Sequence, residues 1–171
     1  MRKRNQLTLV LGLLLLLFAS CEAQEQKNRS VSKNGMEVHW HFKQNRIFFT
    51  MKAPTRGWVA IGFNTTEKMT HAYLLMGRIA KNQAEVVEHF TIFPGAYEPI
   101  KTLGGITQVQ DMYGSEKVNT TVLHFSLPVK ALGQYQKDLL QGNTYFMVLA
   151  YSQEDDFQHH SSMRTSINVE L

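Results

Sequence analysis

Short runs in which apolar and polar residues alternate one for one, each closed by a turn-forming cluster, constrain this chain more than any other feature. From Val118 to Leu127, Thr121, Leu123, Phe125 and Leu127 share one face, while Thr120, Val122, His124 and Ser126 share the other. That period of two is the signature of a half-buried strand. Val38, Trp40 and Phe42 alternate in the same way with His39, His41 and Lys43. Gln44-Asn45-Arg46 then reads as a turn and Ile47–Met51 as the returning strand, ended by Pro54. Trp58–Phe63 mixes aromatic and small residues, as a strand packed on both sides requires, and Gly62 leaves room for another backbone or a ligand. Further strands are expected at Tyr73–Ile79, Ala84–Thr91, Thr144–Tyr151 and Thr165–Leu171. Residues 94–114 read as a long loop with at most a short strand, and loops of that length are often functional. Lys130–Leu140 is the one expected helix, ending at Gly142. Together these predict an all-β fold, an antiparallel immunoglobulin-like sandwich of roughly eight to ten strands with one short helix.

The ends of the chain bear on where such a domain works. Arg2, Lys3 and Arg4 precede Leu7–Phe18, an apolar run broken only by Thr8 and Gly12, and small residues follow it. The pattern is that of a secretory signal and is short for a membrane span. Cys21 and Ala23 suit signal peptidase, which makes residues 1–23 the signal and Gln24 the first mature residue. Phe18-Ala19-Ser20-Cys21 also resembles a lipobox, in which case the signal is 1–20 and Cys21 anchors the protein to a membrane through lipid. Residues 24–35 are polar and aperiodic and read as a flexible lead-in to a domain over 36–171. The expected location is secreted, periplasmic or extracellular. Cys21 is the only cysteine, so the exported domain has no internal disulfide and relies on its core. The 171 residues carry 18 basic and 14 acidic side chains; Arg2, Lys3, Arg4 and Glu22 lie in the signal, leaving 15 against 13. That balance argues against nucleic acid as a partner. Asn28, Asn64 and Asn119 begin glycosylation sequons, which matter only in a host that glycosylates asparagine.

Seven histidines and eight methionines draw attention to metal chemistry. His39 and His41, two apart on the polar face of a strand, have a spacing that can chelate copper or zinc, although solvent-facing strand residues share it. Met69 stands among polar residues between two strands, an odd place for core filler and a reasonable one for a thioether ligand. His71 follows it by two. His159 and His160 sit in the irregular polar stretch Glu154–Arg164, ahead of the last strand, where a rigid scaffold tends to carry function. Catalysis has little support. No Gly-x-Ser-x-Gly elbow is present, Gly104-Gly105 lies in no phosphate-cradling pattern, and Asp155 and Asp156 would diverge on an extended chain.

The run Gly57-Trp58-Val59-Ala60-Ile61-Gly62-Phe63, then Met69 with Ala72 three residues on, then Phe125-Ser126-Leu127-Pro128, Asp138–Gly142, Tyr145–Ala150, His160, Arg164 and Val169-Glu170-Leu171 resembles the DOMON domains. The resemblance covers about Val38 to Leu171 and implies a β-sandwich that binds haem or sugars. Haem-binding members, among them the cytochrome domain of cellobiose dehydrogenase, hold haem b between a methionine after the Gly-Phe strand and a histidine before the last strand. Carried over, those positions are Met69 and His160, with His159 in reserve and Phe63, Tyr73 and Arg164 as further cofactor contacts. The resemblance thus implies a non-enzymatic electron carrier whose redox partner is a separate protein or a membrane cytochrome. A non-redox module for a sugar or other small ligand is the alternative. The family pattern often has Gly and Asp after the methionine, whereas Thr70, His71 and Ala72 stand here.

Overall fold

The computed structural model describes residues 29–171, so the expected signal and Cys21 lie outside the described residues. Eleven strands form two antiparallel sheets. One sheet has the order β1-β2-β3-β9-β8, from Arg29–Lys33, Met36–Lys43, Arg46–Ala53, Thr120–Pro128 and Gln110–Lys117. The other has the order β11-β10-β4-β5-β6-β7, from Met163–Glu170, Thr144–Tyr151, Val59–Asn64, Tyr73–Ala80, Gln83–Phe93 and Ala96–Pro99.

The alternation read from the sequence decides which side chains meet between the sheets. Thr121, Leu123, Phe125 and Leu127 of β9 are buried there with Ile47, Phe49 and Met51 of β3 and Val38 and Trp40 of β2. Val59, Ile61 and Phe63 of β4, Tyr73 and Leu75 of β5, and Met147 and Leu149 of β10 supply the opposing layer. Phe49 stacks on Phe125 and tilts against Phe63 at 5.5 Å each, so aromatic contacts join the layers at their centre. Burying side chains of this size contributes about 1.5–3 kcal/mol each, which is how a domain without a disulfide is held.

Three expectations are corrected. The lead-in assigned to 24–35 contains β1, which pairs with β2 from Arg29↔Trp40 to Lys33↔Met36. The Asn34-Gly35 turn joining them has positive φ at both residues, and such a turn is compatible with the twist of paired strands. The long loop assigned to 94–114 yields β7 and the start of β8, whose outward-facing residues carry no apolar alternation. The expected helix at Lys130–Leu140 is a series of bends and turns, and no helix occurs among the described residues. Its backbone N–H groups go elsewhere: Ala131 donates to Asp138 Oδ1, Leu132 to Gln136 Oε1 and Leu139 to the Val129 carbonyl. The segment acts as a cap, burying Gln136 and Leu139 against the end of the sandwich.

That cap meets a buried carboxylate. Glu88 of β6 is fully buried and accepts from the N–H groups of Gln108 and Val109 at one oxygen and from Tyr73 Oη (2.6 Å) and Gln136 Nε2 (2.9 Å) at the other. Burial and the adjacent Glu88 hold the Tyr73 phenol well above its ordinary range, so it stays a donor.

Candidate functional site

The outer face of the β11-β10-β4-β5-β6-β7 sheet is built differently from the inner one. With Val59, Ile61 and Phe63 turned inward, β4 presents Trp58, Ala60 and Gly62 outward. Ala60 lies beside Ala150 of β10 and Met76 of β5; Gly62 lies beside Val148 and Leu74. A Cβ on Gly62 would come within 2.4 Å of the Leu74 side chain, so the glycine lets Leu74 lie flat over the strand. The outcome is a shallow apolar floor instead of a solvated polar face.

Two loops rise over that floor. The 65–70 loop is stapled by Asn64, which is buried and donates through Nδ2 to the carbonyls of Lys68 (2.8 Å) and Thr70 (3.0 Å) while accepting from the Thr65 N–H. Ala72 N–H closes the loop on the Met69 carbonyl, and His71 takes a left-handed φ of 63°. The 153–162 loop is organised by Ser152, buried at the end of β10. Its hydroxyl donates to the His160 carbonyl (3.1 Å), accepts from the Glu154 N–H and lies 3.2 Å from His159 Nδ1. Gly57 seats the base of this loop, since a Cβ there would stand 2.4 Å from the Glu154 backbone nitrogen.

Phe157 pins the same loop to the sheet. The Arg78 guanidinium lies 4.6 Å over its ring, His89 meets the ring edge-on, and Tyr97 Oη donates to the Phe157 carbonyl. His89 is buried between Tyr97 and Phe157, and desolvation pushes its imidazole below the ordinary range despite the Val87 carbonyl and Glu98. It is therefore neutral at pH 7. Asp155, at the loop's edge, is raised by burial and by Glu154 against the pull of Arg78.

Between the loops and the floor lies a cavity of about 130 Å³ whose lining includes Met69, His160 and Arg164 together with Trp58, Leu74 and Ala150. Three residues singled out from the sequence thus converge, although 91 residues separate Met69 from His160 in the chain. His160 lines the cavity and His159 does not; the His159 ring is turned to Ser152 and the His160 carbonyl. Phe63 and Tyr73 do not join them. Both are buried in the inter-sheet core, on the opposite face from the cavity, because they occupy inward positions of β4 and β5. His71 stacks on Phe90 at 5.5 Å and is not part of the lining. His39 and His41 lie on the other sheet, His39 3.7 Å from Glu37 and His41 stacked on Phe48. Among the described residues no three His, Cys, Asp or Glu side chains form a metal-holding group.

Sequence reasoning missed two polar atoms here. Trp58 Nε1 and Thr91 Oγ1 are buried and have no hydrogen-bond partner among the described residues, and both residues line the cavity. A buried donor without a partner costs about 1–3 kcal/mol. No sequence pattern marks them, because the lack of a partner is a property of the packed structure.

The model of the DOMON domain matches residues 32–152. The fold is similar to that of the cytochrome b domain of pyranose dehydrogenase from Coprinopsis cinerea, at 8% identity and a TM-score of 0.62 over 85% of this chain and 81% of that one. It is also similar to the cytochrome domain of Myriococcum thermophilum cellobiose dehydrogenase, at 10% identity and a TM-score of 0.58 over 84% and 81%. At such identities the likeness is one of fold.

Proposed function

This chain belongs to the DOMON domain family, and from that premise we propose that it is an exported haem b protein of extracytoplasmic electron transfer, with Met69 and His160 as axial ligands. The observation that carries the reading is the convergence of a thioether, an imidazole and a cationic side chain on one apolar-floored cavity. The residues fit the group in donor chemistry. The floor of Ala60, Leu74, Met76, Val148 and Ala150 is apolar, and the His160 imidazole has no hydrogen-bond partner among the described residues, so its nitrogens are available. In size the cavity is smaller than the roughly 300–1,000 Å³ of drug-sized ligand sites, so the reading rests on the donor chemistry of its lining and not on its volume. The 153–162 loop over it is largely exposed and is held through Ser152, the Phe157 carbonyl, the Trp58 N–H on the Glu154 carbonyl and Arg78 on the Asp155 carbonyl.

When bound, haem b supplies a one-electron iron couple that a thioether ligand shifts toward the reduced state. The protein's part is to hold Met69 and His160 on two separately stapled loops over an apolar floor. A thioether and an imidazole both given to the iron would suit electron transfer and not substrate binding, so we read the protein as a carrier and not as an enzyme. Its redox partner is a separate protein or a membrane cytochrome, reached in the periplasm or outside the cell; membrane attachment follows only if Cys21 is lipidated. A second reading, a non-redox module for a sugar or other small ligand, is favoured by the modest cavity and its two unpartnered polar atoms.

An absorption spectrum of the purified, haem-supplemented protein separates the two. A low-spin haem spectrum is expected. Met69→Ala should shift it toward high spin and lower the potential, and His160→Ala should weaken haem retention more severely. Wild-type spectra in both variants would overturn the ligand pair, and a colourless protein would overturn haem.

A further inference from the structure

Seven large apolar side chains are exposed among the described residues, and four of them gather at one end of the sandwich. Ile92 and Phe93, 41% and 59% exposed, close β6 at the end where β5 begins, since Tyr73 pairs with Phe90. Ile106 (70%) lies in the 100–109 connection and Leu132 (64%) in the 129–142 cap. The three segments meet at Tyr135 and Gln136. The Tyr135 ring meets Phe90 edge-on at 5.2 Å, and a Cβ on Gly105 would stand 3.0 Å from it. Gln136 donates to the Ile106 carbonyl (2.8 Å) and accepts from the Leu132 N–H (3.2 Å). Single exposed apolar residues are ordinary on a protein surface; four on three neighbouring segments are not a scatter.

Lysines stand among them. Lys68 precedes His71, whose ring stacks on Phe90; Lys101 sits in the turn closed by the Gly105 N–H on the Ile100 carbonyl; Lys137 follows Gln136. None of these three side chains has an ion pair or hydrogen bond among the described residues. The carboxylates at this end are mostly taken. Asp138 is held by Lys130 (2.7 Å), Glu67 by Asn168 (2.8 Å), Glu170 by Arg29 (3.0 Å) and Asp111 by Ser126, which leaves Glu98 against three lysines. Protein interfaces are depleted in lysine, whereas an anionic bilayer attracts it and takes up apolar side chains at the headgroup boundary. β1 also begins at this end, with Arg29 beside Glu170 at the close of β11, so the segment ahead of the domain joins it on the same side. We propose that this end of the sandwich is a docking surface for an anionic lipid bilayer, with Phe93, Ile106 and Leu132 entering the headgroup layer and Lys68, Lys101 and Lys137 on the phosphates. The contact is reversible, is distinct from covalent attachment at Cys21 and does not depend on what fills the cavity. It turns the 65–70 loop, which follows β4 at this end and carries Met69, toward the membrane.

The test is co-sedimentation of the full-length chain carrying Cys21→Ala, as its host processes it, with vesicles of phosphatidylglycerol and phosphatidylcholine in equal parts. Without the thiol no lipid is attached there, so sedimentation reports the surface of the domain. The protein should sediment with these vesicles, stay in solution with phosphatidylcholine alone, and be released by added salt. Leu132→Asn and Ile106→Asn should each weaken binding about ten-fold. Lys68→Gln combined with Lys101→Gln should lower it to the level seen with phosphatidylcholine alone. Val118→Asn changes the most exposed apolar residue (90%), in the β8–β9 turn at the opposite end, and should bind like the parent chain. A parent chain that ignores both kinds of vesicle overturns the proposal, as does a loss in Val118→Asn equal to that in Leu132→Asn. So does a dimer in sedimentation equilibrium that Leu132→Asn dissociates, found in place of vesicle binding, which would give the surface to a second copy. A colourless protein that still sediments with the mixed vesicles overturns the haem reading and supports this one.

Discussion

Asn64 and Ser152 are small polar residues at the ends of adjacent strands, and each commits its side chain to the backbone of one loop. Neither touches the cavity. They fix the loops that carry Met69 and His160 by tying each loop's backbone to the end of a strand. Asn64→Ala leaves the Lys68 and Thr70 carbonyls without their donor and should lower stability by about 1–3 kcal/mol, read by urea unfolding. On the haem reading, the spectrum of that variant should also take on partial high-spin character, since the loop carrying Met69 loses its staple. The same bonds bear on the sequon at Asn64, whose amide is buried and engaged in the folded state.

His89 belongs to the same scale. Because burial depresses its folded-state pKa below the unfolded value of about 6.5, the unfolded chain binds the extra proton first. Its contribution to stability is complete above that value and is lost as pH falls through the folded pKa. His41 and His124 are lowered by desolvation in the same sense. Melting temperature should therefore fall between pH 7 and pH 5, and His89→Gln should flatten that dependence while leaving the part due to the other two. An unchanged slope would place the effect elsewhere.

At the scale of elements, the two faces of one sheet explain where the site is. The inner face is filled by the opposing sheet, while the outer face of Trp58, Ala60, Leu74, Met76 and Ala150 lies under the loops, so the room for a ligand is on the outer face. One of the ties that hold the 153–162 loop on this face is aromatic, at Phe157. Tyr97→Phe removes the donor to the Phe157 carbonyl and should raise amide hydrogen exchange across 153–162 with little change in the exchange of β4 and β10. If exchange rises throughout the sheet instead, the loop is part of the core and not a separately opening segment.

For the whole molecule, the Glu88 cluster does what no strand pairing does: it ties β6, β5, the 100–109 connection and the 129–142 cap into one unit. Glu88→Ala strands several donors in the interior and should cost about 3 kcal/mol or more, measured by denaturant unfolding, with the spectrum of bound haem retained.

Alternation along each strand is legible in the sequence because its cause is local. A side chain's face follows from its parity along the strand, so counting residues is enough to put Leu123, Phe125 and Leu127 on the core side. The loop positions of Met69 and His160 are legible too, through family resemblance. What required tertiary structure was every property set by another segment. Phe63 and Tyr73 face inward because of which sheet packs on β4 and β5. Lys130–Leu140 stays unwound because Glu88 and Val129 claim groups that a helix would use or leave outside. Trp58 keeps an unused hydrogen bond only because the neighbours that pack on it, Leu74, Met76 and Ala150 of other strands among them, offer it no acceptor. Periodicity reports the face a residue presents; the partner waiting there is decided by the long-range closure of the chain.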